Sequence, residues 1–210
     1  MILNKELKIY IENNVFPQYD KNENGHKIDH INYVIDRCFE LSEDKNIDFN
    51  MLYTIAAYHD IGYHISFKKH DIISAQIMYE DKFLKKFFNE KQLKIMKEAI
   101  EDHRASLDRE PRSIYGKIVS SADRNIDIDD SLRRIYLYSI EHFKDLSENE
   151  TIEECYKHAR KKFSKDGYVK FFFDDVKYKN YLNELQSILD NKEEFVTRLR
   201  TIISEIESES

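Results

Sequence analysis

Three features of this 210-residue sequence predict an all-α protein. It contains only 4 Gly and 2 Pro, so there are few residues to break helices or make tight turns. Apolar residues recur at helical spacing along most of the chain. No segment sustains strict apolar/polar alternation between turn residues, as a half-buried strand would.

The elements follow in order. Leu3, Leu7, Tyr10 and Ile11 form a first amphipathic stretch. Ile28, Ile31, Val34, Ile35, Cys38 and Leu41 mark a second, spanning roughly 26–44. A third begins near 48, with Asp48 as its N-cap, and runs through Leu52, Ile55 and Ala56 into YHDIG, where Gly62 is a terminator. His70 to Phe88, about 90–103 and Ser113 to about 125 read as three more helices, with Pro111 just ahead of the last. Further helices are predicted near 128–145, 148–165, 174–190 and 191–208. The FFFDD run at 171–175 is the one place where a short strand fits. With no linker or repeat in view, the chain reads as one domain over 1–210.

Composition narrows the class. Hydrophobic residues make up 41% and charged residues 35%, which is globular rather than disordered. Nothing approaches the ~18 consecutive apolar residues of a membrane span. The start, MILNKELKIYIENN, lacks a basic segment followed by an apolar run. Cys38 and Cys155 form no CxxC pair and read as reduced thiols. A cytoplasmic protein without a membrane partner is therefore expected. The net charge of −7 disfavours nucleic acid as a partner but leaves room for a local basic pocket.

The chemistry-bearing residues cluster early. His59-Asp60 closes an apolar helix, where a charged pair merely packed against a core would be costly. Taken alone, this dipeptide reads more readily as a hydrated helix end. His26 and His30 lie four apart, on one predicted helix face, beside Ile31. Asp123 ends another apolar helix after Ile118, Val119 and Ala122. Together these segments offer two imidazoles and two carboxylates, His30, His59, Asp60 and Asp123, and no thiolate. Such an N/O set suits Mn, Fe, Co, Ni or Mg with water completing the shell, and disfavours structural zinc.

The order His30, His59-Asp60, Asp123 resembles the HD superfamily of metal-dependent phosphohydrolases. The likeness is to the small bacterial branch with HxxxHxxxV, HDIG, HxxSA, IxxH and ADR. Here these read His26-His30-Val34, HDIG at 59–62, His70 to Ala75, Ile100 to His103, and Ala122-Asp123-Arg124. The likeness covers about 25–125, with 126–210 as a helical extension expected to pack on that core. One departure follows Asp123, where relatives continue ADRLDAxGA and this chain reads ADRNIDIDDSLRR.

The resemblance implies an all-helical fold and hydrolysis of a phosphate ester or anhydride, often of a nucleotide, by metal-activated water. His30, His59, Asp60 and Asp123 would hold the ion, and Asp60 would also orient the attacking water. His103 and Arg124 would act on the phosphoryl group; His26, His64, His70 and Arg104 would contact substrate, Lys68 and Lys69 less so. His70 and His103 also match positions that bind a second metal in binuclear relatives. Arg124 reads equally as an ion-pair partner of Asp127. His142 and His158 are read as ordinary surface or packing residues. Tyr168 to Phe173 is read as core or homodimer contact. No glycine-rich phosphate loop occurs, so ATP-driven work is not expected. Two rivals remain: a di-iron oxygenase, and a nucleotide-sensing module without turnover.

Overall fold

The computed structural model describes residues 3–22 and 26–209. The described residues form ten α-helices, three short 3-10 turns and no strand. No helix among them is long and apolar enough to cross a membrane. They fall into two compact units, Met1–Arg124 with Phe171–Phe173, and Asn125–Lys170 with Asp174–Ser210.

The first unit holds α1 (Lys5–Asn14), α2 (Ile28–Glu40), α3 (Phe49–Tyr58), α4 (His70–Glu80), α5 (Glu90–Glu101) and α6 (Ile114–Ala122). α3 is its axis. Every residue from Met51 to Tyr58 is buried, as a helix apolar on all faces requires, and α1, α2, α4, α5 and α6 pack around it. Each fully buried Leu or Ile, such as Leu52 and Ile55, stabilises the fold by ~1.5–3 kcal/mol. Asp48 caps α3 as expected, accepting from the N–H groups of Asn50 and Met51.

Several expectations are corrected. The predicted helix from His70 to Phe88 breaks at Asp81, whose side chain caps a separate 3-10 turn, Lys82–Lys86. The other oxygen of Asp81 accepts from Tyr10 at 2.8 Å and Tyr58 at 2.6 Å, so a long-range polar contact outweighs continued helical periodicity. A 3-10 turn at Phe16–Lys21 has no apolar repeat to announce it. Phe171–Phe173 is not a strand; Phe171 and Phe173 pack on the core of the first unit, and the Phe172 N–H donates to Ser121 Oγ at 3.2 Å.

Gly62 does not end α3 as a left-handed cap. It stands where a Cβ would lie 2.6 Å from Ile73 Cγ2 and 2.9 Å from the Ser74 nitrogen, so glycine lets the HDIG turn press against α4. The Ser74 hydroxyl there accepts from the Gly62 N–H at 2.9 Å.

The second unit is built from α7 (Ile128–His142), α8 (Glu148–Phe163), α9 (Val176–Asp190) and α10 (Lys192–Glu209). Leu132, Ile135, Cys155, Leu185, Phe195 and Leu199 form its apolar interior. Ser147 and Glu150 make a reciprocal cap at the start of α8, and Ser131 and Tyr181 share a buried hydrogen bond of 2.8 Å.

Candidate metal centre

The last carbonyls of a helix lack partners within it, and at α3 the side chains of its own end and its neighbours supply them. The His59 ring Nδ1–H donates to the Ala56 carbonyl at 2.8 Å, and the Tyr19 hydroxyl to that of Ala57 at 2.8 Å. Asn22 Nδ2 donates to the Asp60 carbonyl at 3.0 Å. The central helix therefore ends in a fixed turn, with His59 and Asp60 both buried.

The other ligand candidates converge on that turn. His30, on α2, places Nε2 3.2 Å from Asp123 Oδ1 and 3.7 Å from Asp60 Oδ2. His59 Nε2 lies 3.5 Å from Asp60 Oδ2 and 3.9 Å from Asp123 Oδ1. Ligands bound at ~2.0–2.2 Å sit about this far apart around one ion. On the opposite side, Asp60 Oδ1 is 3.4 Å from both His70 Nε2 and His103 Nε2, and these two nitrogens are 3.2 Å apart. Among the described residues three groups can each hold a metal: His26-His30-Asp60, His30-His59-Asp123 and Asp60-His70-His103. Asp60 thus offers one oxygen to each side.

Two observations fit a metal to these residues. His30 Nε2, His59 Nε2 and Asp60 Oδ1 are buried and receive no hydrogen bond, a cost of ~1–3 kcal/mol per group unless something else satisfies them. Secondly, His59, His70 and His103 repeat one device. Each ring places Nδ1 on the carbonyl three residues back, Ala56, Phe67 and Ile100, at 2.8, 2.7 and 2.6 Å. A carbonyl accepts only, so Nδ1 carries the proton and Nε2 keeps its lone pair, as a metal-binding imidazole needs.

Electrostatics agree. Burial pushes His59 down to about 4, against the pull of Asp60 and Asp123, so the ring is neutral at ordinary pH. His70 is likewise lowered by burial. Burial would also lower His103, but the Asp60 carboxylate, 3.4 Å away, outweighs it and raises this ring. Burial acts to raise both carboxylates, yet the surrounding imidazoles hold Asp60 and Asp123 well below the usual range, so both stay ionised.

The remaining candidates divide. His26 is not on α2, which starts at Ile28, so the helical spacing argument does not apply to it. It still reaches the site, with Nδ1 2.9 Å from Asp60 Oδ2 and its ring stacked on Tyr63 at 3.9 Å. His64 is exposed and bonded to Asn22. Arg104 donates to the Lys68 carbonyl at 2.7 Å and lies 3.5 Å from Asp71, which ties it to the 3-10 turn Phe67–Lys69 that carries Lys68 and Lys69.

Arg124 is buried. It donates to the His103 carbonyl at 3.2 Å and Ser120 Oγ at 2.9 Å, and approaches Asp123 Oδ2 at 3.4 Å. Asp123 is thus an acidic neighbour of this guanidinium, while Asp127 caps α7. His142 stacks on Tyr138, His158 meets the same ring edge to face, and neither belongs to the three groups.

Sequence reasoning missed Asn22, Tyr19 and Asp102. The buried Asp102 carboxylate accepts from Arg109 at 2.6 Å and from the Arg112 backbone N–H at 2.7 Å, pinning the loop that follows His103. Only its adjacency to His103 hinted at this; Asn22 and Tyr19 had no signal.

Comparison with known proteins bears on the same segment. Residues 28–125 match the family profile of the HD domain. A solved structure of a predicted HD superfamily hydrolase from an uncultured Thermotogales bacterium is similar at 22% identity and a TM-score of 0.47, covering 73% of this chain and 85% of that one. No curated protein matches the chain. The helices that carry His30, His59-Asp60, His70, His103 and Asp123 thus lie within the segment that matches the HD-domain profile.

Proposed function

We propose that this protein is a metal-dependent phosphohydrolase acting on a small phosphorylated molecule, with a nucleotide as the leading substrate class. The observation that carries the reading is the Asp60 carboxylate, shared between the His30-His59-Asp123 side and the His70-His103 side. His30, His59, Asp60 and Asp123 would hold one divalent ion, and Asp60, His70 and His103 a second. A divalent cation so held lowers the pKa of bound water and polarises a phosphoryl oxygen.

The chain's own groups supply the rest. The backbone carbonyls behind His59, His70 and His103 fix the tautomers and ring orientations. The Asp60 carboxylate, ionised and flanked by imidazoles on both sides, would orient the attacking water. His26 and Arg104, both partly exposed beside the buried set, are the nearest candidates for contact with substrate oxygens. Arg124 would brace the centre and not touch phosphate directly, a reading supported by its hydrogen bonds to His103 and Ser120 and its approach to Asp123.

The test is a screen of nucleotides and simple phosphoesters with Mn, Co, Ni and Mg supplied one at a time. Turnover that requires one of these ions and disappears in Asp60→Ala supports the reading. Wild-type turnover in metal-loaded Asp60→Ala would sink it. The histidine-rich pair around Asp60 Oδ1 also favours a second reading, a di-iron oxygenase. Iron-loaded protein with a Mössbauer or EPR signature of a coupled pair, and no phosphatase activity, would select it. Tight nucleotide binding without turnover under every ion would select a sensing module.

A further inference from the structure

Asn22 precedes the matched segment 28–125 and belongs to no ligand group, yet three parts of the centre meet on its amide. It follows the 3-10 turn Phe16–Lys21 and is 4% exposed. Its Nδ2 donates to the Asp60 carbonyl at 3.0 Å and to the His26 carbonyl at 3.1 Å. Carbonyls only accept, so these two partners settle which end of the amide is nitrogen. Oδ1 must then face His64. It accepts from the His64 backbone N–H at 3.1 Å and stands 3.2 Å from the ring Nδ1.

An amide oxygen cannot donate, so the proton between it and the ring belongs to Nδ1. The neutral His64 ring then keeps its lone pair on Nε2. Tyr19, three residues earlier on the same turn, caps Ala57, so one short element supports both carbonyls at the α3 end.

We propose that Asn22 is a positioning residue of this centre: it clamps the backbone of Asp60, and it sets His64 as an Nδ1–H imidazole that presents an acceptor. A neutral His64 would then receive a hydroxyl or water proton rather than hold an anionic phosphate oxygen. The inference rests on the proposed metal centre for its meaning, but its main readout needs neither turnover nor metal.

The experiment is a long-range 1H–15N correlation spectrum of the metal-free full chain. It is recorded near pH ~8.5, well above the ~6.5 of an ordinary imidazole. The His64 signals are assigned by their loss in His64→Gln. The expected wild-type pattern has Nδ1 protonated, and Asn22→Ala is expected to shift it toward Nε2–H, the form free imidazole side chains favour. In parallel, calorimetric titration with Mn2+ should show Asn22→Ala binding at least ~10-fold more weakly, the usual cost of losing a group that orients a ligand. An Nε2–H pattern for His64 in the wild-type chain, or a pattern unchanged in Asn22→Ala, overturns the tautomer assignment. Wild-type Mn2+ affinity in folded Asn22→Ala overturns the clamp. If Asn22→Ala does not fold, the wild-type spectrum alone decides the tautomer, and Asn22→Ser, smaller but polar, replaces it in the titration.

Discussion

Arg124 shows how burial redirects a residue type. A guanidinium beside a ligand carboxylate invites a phosphate contact, because it stays protonated and carries a rigid fork of donors. Here it is 7% exposed and its donors reach His103, Ser120 and Asp123, so it ties the two sides of the centre together. Arg124→Ala should therefore lower the urea-unfolding free energy of the metal-free chain by ~1.5–3 kcal/mol, the range for hydrogen bonds to a charged group. In the phosphatase assay it should lower kcat more than it raises KM; a rise in KM alone would return Arg124 to substrate binding. A second residue-level expectation follows from His103, whose ring is raised by Asp60. A raised imidazole stabilises the metal-free chain fully below its unfolded value of ~6.5, and that contribution is lost as pH climbs through the folded value. Metal needs the same nitrogen unprotonated, so Mn2+ affinity should rise over that interval. Titrations at several pH values check the sign, and affinity that falls with rising pH would contradict it.

The turn from His59 to Gly62 is the element on which the site depends. Its geometry comes from neighbours: Tyr19 and Asn22 on its carbonyls, and Ser74 on the Gly62 N–H. Gly62→Ala would put a methyl 2.9 Å from the Ser74 backbone nitrogen, which cannot rotate away as a side-chain tip can. The expected loss is ~1–3 kcal/mol of stability, with weaker Mn2+ binding as the turn is pushed off α4. Thermal unfolding and metal titration of the same variant measure both. A Gly62→Ala chain with wild-type stability would mean that α4 retreats freely. α5 and the loop after it follow similar logic, since Asp102 anchors that loop through Arg109 and Arg112 while His103, the next residue, turns inward.

For the whole molecule, the centre is a debt carried by the fold until a cation arrives. Burying several unbonded ligand atoms and two ionised carboxylates is unfavourable, and a ligand that binds only the folded state returns RT ln(1 + [L]/Kd), ~2.7 kcal/mol at 100 Kd. Mn2+ should accordingly raise Tm, and a chelator should lower it with helicity retained, as read by circular dichroism. A Tm indifferent to both would argue against any metal at this site. The single-domain expectation from the sequence is a separate matter, which the same melts address. It requires one cooperative transition, although the described residues form two compact units and the chain returns to the first at Phe171–Phe173.

Helical periodicity, Asp48 as a cap and the order of the histidines and acids were legible in the sequence, because they depend on residues close along the chain. So was the likeness of the segment 28–125 to the HD-domain profile, since the spacing of its motifs is itself a sequence property. The break at Asp81, the true reason for Gly62 and the position of His26 ahead of α2 were not legible. Each is set by a partner far along the chain: Tyr10 and Tyr58 for Asp81, Ile73 and Ser74 for Gly62, Asp60 for His26. The tertiary structure likewise decided that Asp60 faces two groups and that Asn22 supports it. A carboxylate has two oxygens and an amide two ends, and only packing in three dimensions determines what each of them meets.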